Sequence, residues 1–319
     1  MQESRPDFPA PAEGFSHRAL IYRDAEEFLA GTLAFLREGL EAGEPALVAV
    51  GPERAAELRG ELGDEAGEVS FLPMRDMGRN PARIIPLWRD FLDAWPGRPV
   101  RGIGEPVWPG REAAELEECH RHEALLNHAF GGSRAWSLLC PYDASLDDAV
   151  LAEVARTHPH VIEAGSRSRS DGYAPTPDCF SGALPPAPPG AVTLTFDAGG
   201  LREVRSRVGH AARLAGLAMH RAADLVAAAS ELAANSVAHG GGSGRLRIWP
   251  QRNGLVVEVE DAGRLTEPLA GRLRPPATQE HGRGLWLANQ LCDLVQIRSG
   301  AGGTVVRLHM ALEPGAMCA

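Results

Sequence analysis

The chain has 319 residues, 44% of them hydrophobic, and a formal net charge of -10. That length suits two domains of ordinary size, and the composition is that of a folded protein rather than a disordered one. The acidic balance argues against nucleic acid as a direct partner, because neutralising phosphates requires a basic surface.

No apolar run is long enough to span a bilayer, and the polar, Pro-rich start (Met1–Pro11) carries no signal-peptide core, so the expected setting is cytoplasmic, without a membrane partner. The five cysteines, Cys119, Cys140, Cys179, Cys292 and Cys318, are odd in number and scattered, which predicts reduced thiols. Lysine is absent from the sequence, and arginine carries all the basic side-chain charge. A Walker A phosphate loop, whose lysine reaches the β- and γ-phosphates, is thereby excluded.

Residues 15–166 alternate short apolar runs with longer amphipathic ones. Strands are predicted at Arg18–Tyr22, Ala46–Val50, Val69–Leu72, Val100–Ile103 and Ala135–Cys140. Helices are predicted between and after them at Ala25–Ala42, Pro52–Leu62, Pro81–Trp95, Glu112–Phe130 and Leu146–Thr157. Such alternation implies a mostly parallel α/β sheet with helices on both faces. A helix-like Arg/Ser segment (Arg167–Asp171) then leads into a Pro-rich stretch, and residues 167–191 read as a semi-extended linker.

In residues 192–312 the order changes. A strand (Val192–Phe196) precedes two helices (Leu201–Ala215, His220–His239) and a hairpin (Arg245–Pro250, Leu255–Glu260) with Asn253-Gly254 in its turn. A loop rich in Arg, Pro and Gly, a helix (Gly284–Leu291) and two strands (Leu294–Ser299, Thr304–Met310) complete an α/β sandwich.

Several polar residues of this second half fall at spacings that carry chemistry. On SELAANSVAHG, Glu231, Asn235 and His239 lie at i, i+4 and i+8, on one helix face. A carboxylate one turn from a carboxamide can orient a hydroxyl while the amide oxygen ligates Mg²⁺; a solvated polar stripe is the simpler reading of the helix taken alone. Asp261 ends a strand and is followed by Ala262-Gly263, suiting a hydrogen bond to an adenine amino group. Gly282-Arg283-Gly284 opens a helix whose free N–H groups favour phosphate, with Arg283 as a phosphate contact, and Thr304 follows Gly302-Gly303 into the last strand.

Taken in order, ExxxN, DxG, GxG and GT resemble the N, G1 and G2 boxes of the GHKL (Bergerat) ATPase superfamily. LREVRSRVGHAARLAGL and DLVAAASELAANSVAHG look most like its anti-sigma-factor serine/threonine kinases. The resemblance implies ATP and Mg²⁺ as cofactors, Asn235 as the metal ligand, Asp261 as the adenine contact, and Gly263, Gly282 and Gly284 as shapers of the pocket. It further implies Glu231 as general base toward a Ser or Thr hydroxyl, with a sigma factor and an anti-sigma-factor antagonist as partners and a homodimer as a possible state. His239 either orients Glu231 or Asn235 or caps the helix. A two-component histidine kinase needs a phosphoacceptor histidine followed by an acidic residue, whereas His210 is followed by Ala211. The alternative to a kinase is a non-catalytic module in which nucleotide gates partner binding.

The N-terminal blocks HRALIYRDAEEFLAGTLAFLREGLEAGEPALVAV, RGIGEPVW, ECHRHEALLNHAF and LLCPYD resemble the MEDS sensory domain. That resemblance implies a RecA-like or Rossmann-like core without its phosphate loop, and an unknown small-molecule signal. Open α/β sheets bind ligands beyond their strand ends, which nominates His17, Tyr22, Glu105, Glu123, Cys140 and Tyr142 as a sensory pocket; fastening of loops is the competing role. Cys119, His120, His122 and His128 on one helix invite a metal reading, though a second tightly spaced cluster is missing.

Overall fold

Alternation of apolar runs and amphipathic segments is realised as strand and helix almost element by element. The computed structural model describes residues 14–174, 180–276 and 282–313, and its chain divides into two compact units, Met1–Pro177 and Asp178–Ala319.

In the first unit β1 (Phe15–Tyr22), α1 (Ala25–Glu41), β2 (Ala46–Val50), α2 (Pro52–Leu62) and β3 (Val69–Pro73) are followed by the short α3 (Met74–Met77), α4 (Ile84–Ala94) and β4 (Val100–Gly104). Then come α5 (Ala113–Phe130), β5 (Trp136–Asp143), α6 (Asp148–Thr157), β6 (His160–Glu163) and β7 (Ser166–Arg169). The sheet order is β3-β2-β4-β5-β1-β6-β7, with parallel pairing except for β7, which runs antiparallel to β6. The segment read as helix-like, Arg167–Asp171, is therefore largely strand: Ser166–Arg169 pairs residue for residue with β6 across a tight turn at Ala164-Gly165.

The central strands β2 and β4 are buried at every position, as parallel strands covered on both faces must be. One face packs Leu20, Val48, Ile103 and Leu139 under Phe28, Phe35 and Leu36 of α1 and Leu58 of α2. On the other, Trp136 meets Trp88 of α4 and Phe130 of α5, with ring centroids 5.9 and 4.9 Å apart. The strand expected to end at Cys140 runs on as β5 through Pro141 to Asp143. Pairing with β4 stops at Leu139, so the proline falls where β5 has β1 alone beside it. Only Arg23 and Asp24 separate β1 from α1, and the Asp24 carboxylate caps the helix by accepting from Glu27 N–H at 2.9 Å.

The second unit contains β8 (Val192–Asp197), α7 (Leu201–Leu214), α8 (Met219–His239), β9 (Ser243–Gln251), β10 (Gly254–Asp261), α9 (Gly284–Leu291), β11 (Leu294–Gly300) and β12 (Gly303–Ala311). Its sheet, in the order β11-β12-β10-β9-β8, is wholly antiparallel. Alternation sorts its faces. Leu246, Ile248, Val257, Val259, Val306 and Leu308 are buried, while Arg247, Glu258 and Arg307 lie in register on the opposite face. There Glu258 takes Arg307 Nε at 2.9 Å and Arg247 Nη1 at 3.2 Å. Part of the Pro-rich segment is stitched to this unit: Phe180 C=O accepts from Ser299 N–H at 3.2 Å and Pro185 C=O from Arg307 at 2.7 Å. The hairpin turn consists of Arg252 and Asn253, and Gly254 already pairs as strand; a Cβ there would lie 2.2 Å from Met310 C=O, so close approach of β12 is what requires glycine.

Arg101 of β4 is 1% exposed and pairs with Glu44 while donating to Phe35 C=O at 2.8 Å. Arg101→Ala strands a buried carboxylate, and urea unfolding should show a loss of about 3–5 kcal/mol. Arg37→Ala removes a solvent-exposed pair with Glu65 (3.2 Å) and an exposed bond to Glu61 C=O (2.9 Å), and should cost about 1 kcal/mol or less.

Candidate functional site

In the second unit α8 lies across the sheet, and a cleft of about 380 Å³ opens between its C-terminal half, the end of β10 and the start of α9. Leu232, Val259, Leu265, Ala270, Leu285 and Val306 form its apolar lining. Asn235, His239, Asp261, Gly263, Gly282 and Thr304 line it as well, so these sequence-nominated residues are brought to one place.

The polar end of the cleft is fixed by Asp261. Its Oδ2 accepts from Ser236 Oγ at 2.6 Å and its Oδ1 from Gly263 N–H at 2.8 Å, tying the strand end to α8 and to its own loop. Each oxygen retains a lone pair for a further donor, as an adenine amino group requires. Thr304 Oγ donates to Gly263 C=O at 2.9 Å and lies 2.8 Å from Ser299 Oγ, which in turn accepts from Leu265 N–H at 2.8 Å. Thr304 thus anchors the Asp-Ala-Gly loop as well as bordering the cleft. Ser236 and Ser299 were not singled out in the sequence: Ser236 reads as ordinary helix interior, and the pairing Ser299↔Thr304 exists only once β11 and β12 are in register.

Glu231 sits one turn before Asn235 and is exposed, while Asn235 is half-buried. Both close around the start of α9. A Cβ built on Gly284 would lie 2.8 Å from Asn235 Nδ2 and 3.2 Å from Glu231 Oε2, so the first turn of α9 presses directly on this pair. Gly282 adopts φ +83°, the left-handed region that glycine favours. His239 is the last residue of α8, whose cap Gly240 N–H bonds to Ser236 C=O; no hydrogen bond between His239 and Glu231 or Asn235 occurs among the described residues. Arg283 donates to Pro276 C=O at 3.4 Å, whereas Arg264 borders the cleft. A hard amide oxygen, an apolar slot with an acceptor at its end, and a glycine-opened helix N-terminus together suit a magnesium nucleotide.

The six N-terminal candidates separate into two groups. Tyr22 OH donates to Glu105 Oε1 at 3.4 Å beyond the strand ends, where Glu105 Oε2 also accepts from Gly51 N–H at 3.2 Å. The Arg54 guanidinium stacks over Tyr22 and Phe28. Burial raises Glu105 above the usual carboxylate range against the opposing Gly51 N–H and Arg54, and burial with Glu105 beside it raises the Tyr22 phenol.

His17, Glu123, Cys140 and Tyr142 gather on the other face, under α5, with His158 added from the junction of α6 and β6. Burial and the neighbouring His158 lower His17 to about 4; burial pushes Glu123 up, yet His158 and His17 hold it well below the usual range. The metal reading on α5 alone is not what the fold assembles. Cys119 donates its thiol proton to Pro106 C=O, and the one group of described residues that could hold a metal is His17, Glu123, Cys140 and His158. Cys119, Cys140 and Cys292 are buried free thiols, and burial raises Cys119 to about 12; Cys179 and Cys318 lie outside the described residues. Among the described residues no helix is long and apolar enough to cross a membrane.

Residues 16–159 match the MEDS family (methanogen/methylotroph, DcmR sensory domain), and residues 194–310 match the histidine kinase-like ATPase domain. Among solved structures, the RsbU and RsbW domains of Rv1364c from Mycobacterium tuberculosis are similar at 23% identity and a TM-score of 0.31, over 46% of this chain and 34% of that one. None of the curated proteins matches the chain.

Two predictions follow from this geometry. Gly284→Ala drives a methyl group into Asn235 and Glu231, and isothermal titration should show Mg-ATP affinity reduced by about tenfold or more, equivalent to about 1.4 kcal/mol. The raised folded pKa of Glu105 means that its contribution to stability is full below the ordinary carboxylate range and is lost as pH rises through the folded value. Glu105→Gln, which cannot ionise, should therefore gain stability over wild type at pH 7 but not at about pH 4, in urea titrations at the two pH values.

Proposed function

We propose that this chain, which joins a MEDS domain to a GHKL-type histidine kinase-like ATPase domain, is an ATP-dependent serine/threonine protein kinase of the anti-sigma-factor type, controlled by its N-terminal unit. The observation that carries the reading is the packing of the first turn of α9 against both Glu231 and Asn235. A phosphate chain received by the N–H groups at Gly282–Gly284 is thereby brought beside a magnesium ligand and a carboxylate together.

The residues divide the work. The Asn235 carboxamide oxygen holds Mg²⁺, Asp261 accepts from the adenine amino group, and the apolar lining takes the base. Bound Mg-ATP supplies a γ-phosphoryl group for transfer. Glu231, exposed at the edge of the cleft, is accessible to a Ser or Thr hydroxyl on an incoming protein and takes its proton. Arg264, which borders the cleft, and Arg283, between Gly282 and Gly284, are the cationic side chains proposed to meet the phosphates. The protein substrate is an anti-sigma-factor antagonist, a sigma factor is the competing partner, and the setting is cytoplasmic.

The same exposure supports a second reading. No hydrogen bond to another described residue fixes the Glu231 carboxylate, as a nucleotide-gated binding protein without transfer would allow.

Glu231→Gln separates the two. As a kinase, the variant should keep Mg-ATP affinity within about twofold while radiolabel transfer to candidate antagonist proteins falls by about 10²-fold or more. Unchanged transfer removes Glu231 as the base, and no transfer by wild type to any candidate favours the gated module. Asn235→Ala should weaken Mg-ATP binding in either case.

A further inference from the structure

The MEDS unit contains a second constellation, which the reading of Glu231 and Asn235 does not use. His17 of β1, Glu123 of α5, Cys140 of β5 and His158 after α6 are each 1% exposed or less. One donor atom from each, two imidazole nitrogens, a carboxylate oxygen and a sulfur, lies within 4.8 Å of all the others.

Their neighbours determine which imidazole nitrogens are bare. His17 Nδ1 lies 3.1 Å from Asn127 Oδ1, whose amide nitrogen donates to Thr157 C=O at 2.7 Å, so Oδ1 is the acceptor and His17 Nδ1 carries the proton. His158 Nδ1 lies 2.9 Å from Val154 C=O, which can only accept, so it too is protonated there. With Nδ1 bonded outward in both rings, each turns its Nε2 inward, 3.0 and 3.2 Å from the same Glu123 oxygen, with Cys140 Sγ 3.4 Å from His17 Nε2. Neither Glu123 oxygen nor His158 Nε2 has a hydrogen-bond partner of acceptable angle. Ligand atoms gathered so closely in a dry interior suit a shared positive charge between them. Protons would satisfy them pairwise, along lines that the ring geometry does not supply, whereas one central cation satisfies all four.

The dimensions fit such a cation. Tetrahedral zinc bonds of about 2.0–2.3 Å place neighbouring ligand atoms about 3.3–3.6 Å apart. Three of the pairs, at 3.0, 3.2 and 3.4 Å, lie within a few tenths of an ångström of that spacing, and the other three lie within 4.8 Å. The charges also fit: two neutral imidazoles, a carboxylate and a thiolate bring two negative charges, which a divalent ion cancels, leaving a neutral buried centre. Nitrogen and sulfur donors disfavour Mg²⁺ and Ca²⁺ and suit zinc. The Nδ1–H bonds to Asn127 and Val154 are the outer contacts by which metal-bound histidines are held in one tautomer.

We propose that His17 Nε2, Glu123, Cys140 Sγ and His158 Nε2 bind one zinc-class divalent ion. With four protein ligands and no open position, the site is structural or sensory rather than hydrolytic.

The test uses the full chain, stripped with a chelator, free of nucleotide, and titrated with Co²⁺ as an optical probe. One Co²⁺ per chain, with tetrahedral visible bands and a thiolate-to-cobalt charge-transfer band that Zn²⁺ abolishes, is expected. Cys140→Ser should fold, as judged by circular dichroism, and lose the charge-transfer band; Glu123→Gln and His158→Gln should weaken Co²⁺ binding at least about tenfold. Adventitious Co²⁺ at Asn235 gives no thiolate band. A folded wild type without that band, or an unchanged band in Cys140→Ser, overturns the assignment. If the variants do not fold, X-ray absorption at the zinc edge of the wild type decides. A first shell of one sulfur and three nitrogen or oxygen atoms is expected, and any other sulfur count overturns the site.

Discussion

The hydrogen bond from Ser236 to Asp261, 2.6 Å long, is the tie on which the nucleotide-type cleft depends. It joins the last turns of α8 to the end of β10, and it is possible because the backbones meet there almost without side chains. A Cβ on Gly240 would lie 2.4 Å from the Asp261 carboxyl carbon, and one on Gly263 would lie 2.9 Å from His239 C=O. With α8 pinned at this end, its register along the sheet is set, and Asn235 and Glu231 meet the start of α9, Glu231 staying exposed at the cleft edge. Thr304, reaching Gly263 C=O from the last strand, holds the far side of the same loop. The cleft is thus a consequence of three short contacts at one strand end, and its apolar slot is the space that those contacts hold open.

Much of this was legible in the sequence because periodicity and spacing report on single elements. The helix face carrying Glu231, Asn235 and His239 is an i, i+4, i+8 pattern, and the Asp-Ala-Gly and Gly-Arg-Gly turns stand at element ends where side-chain-free backbone has local meaning. Most strands of both sheets could be named for the same reason, but β6 was not foreseen and β7 lies in a segment that read as helix-like. Residues that act across elements were harder to see. Ser236 and Ser299 acquire their roles from Asp261 and Leu265, and Arg264 borders the cleft through the path of its loop. His158 follows a helix in a His-Pro-His stretch whose composition says nothing of β1 or α5. The N-terminal candidates show the same limit: proximity to strand ends nominated six residues, and the pleat then sent Tyr22 to one face and His17, Cys140 and Tyr142 to the other.

The two units bury polarity in different ways. In the second, the charged residues Arg247, Glu258, Glu260 and Arg307 form a ladder on one face of the antiparallel sheet, where strand alternation places them without disturbing the apolar face. In the first, both faces of the sheet are covered, so each buried polar group needs its own solution. Arg101 reaches Glu44 and a backbone carbonyl, and Glu105 takes Gly51 N–H and the Tyr22 hydroxyl. A parallel sheet enclosed on both sides makes such groups expensive, and each must find a partner of its own rather than a place in a ladder of paired charges.

The two-residue turn between β1 and α1 has a thermodynamic consequence. Where a nucleotide-binding relative of this topology would open a loop around a triphosphate, Arg23 and Asp24 close the connection, and a carboxylate already occupies the helix N-terminus. Negative charge there repels phosphate as well as displacing it. The proposed nucleotide site is therefore the one in the second unit, and the β1–α1 turn of the first is not built to receive a phosphate chain. For a signal at the first unit to control the proposed ATP site, the coupling would have to be reciprocal: a signal that alters affinity for ATP by some factor has its own affinity altered by ATP by the same factor.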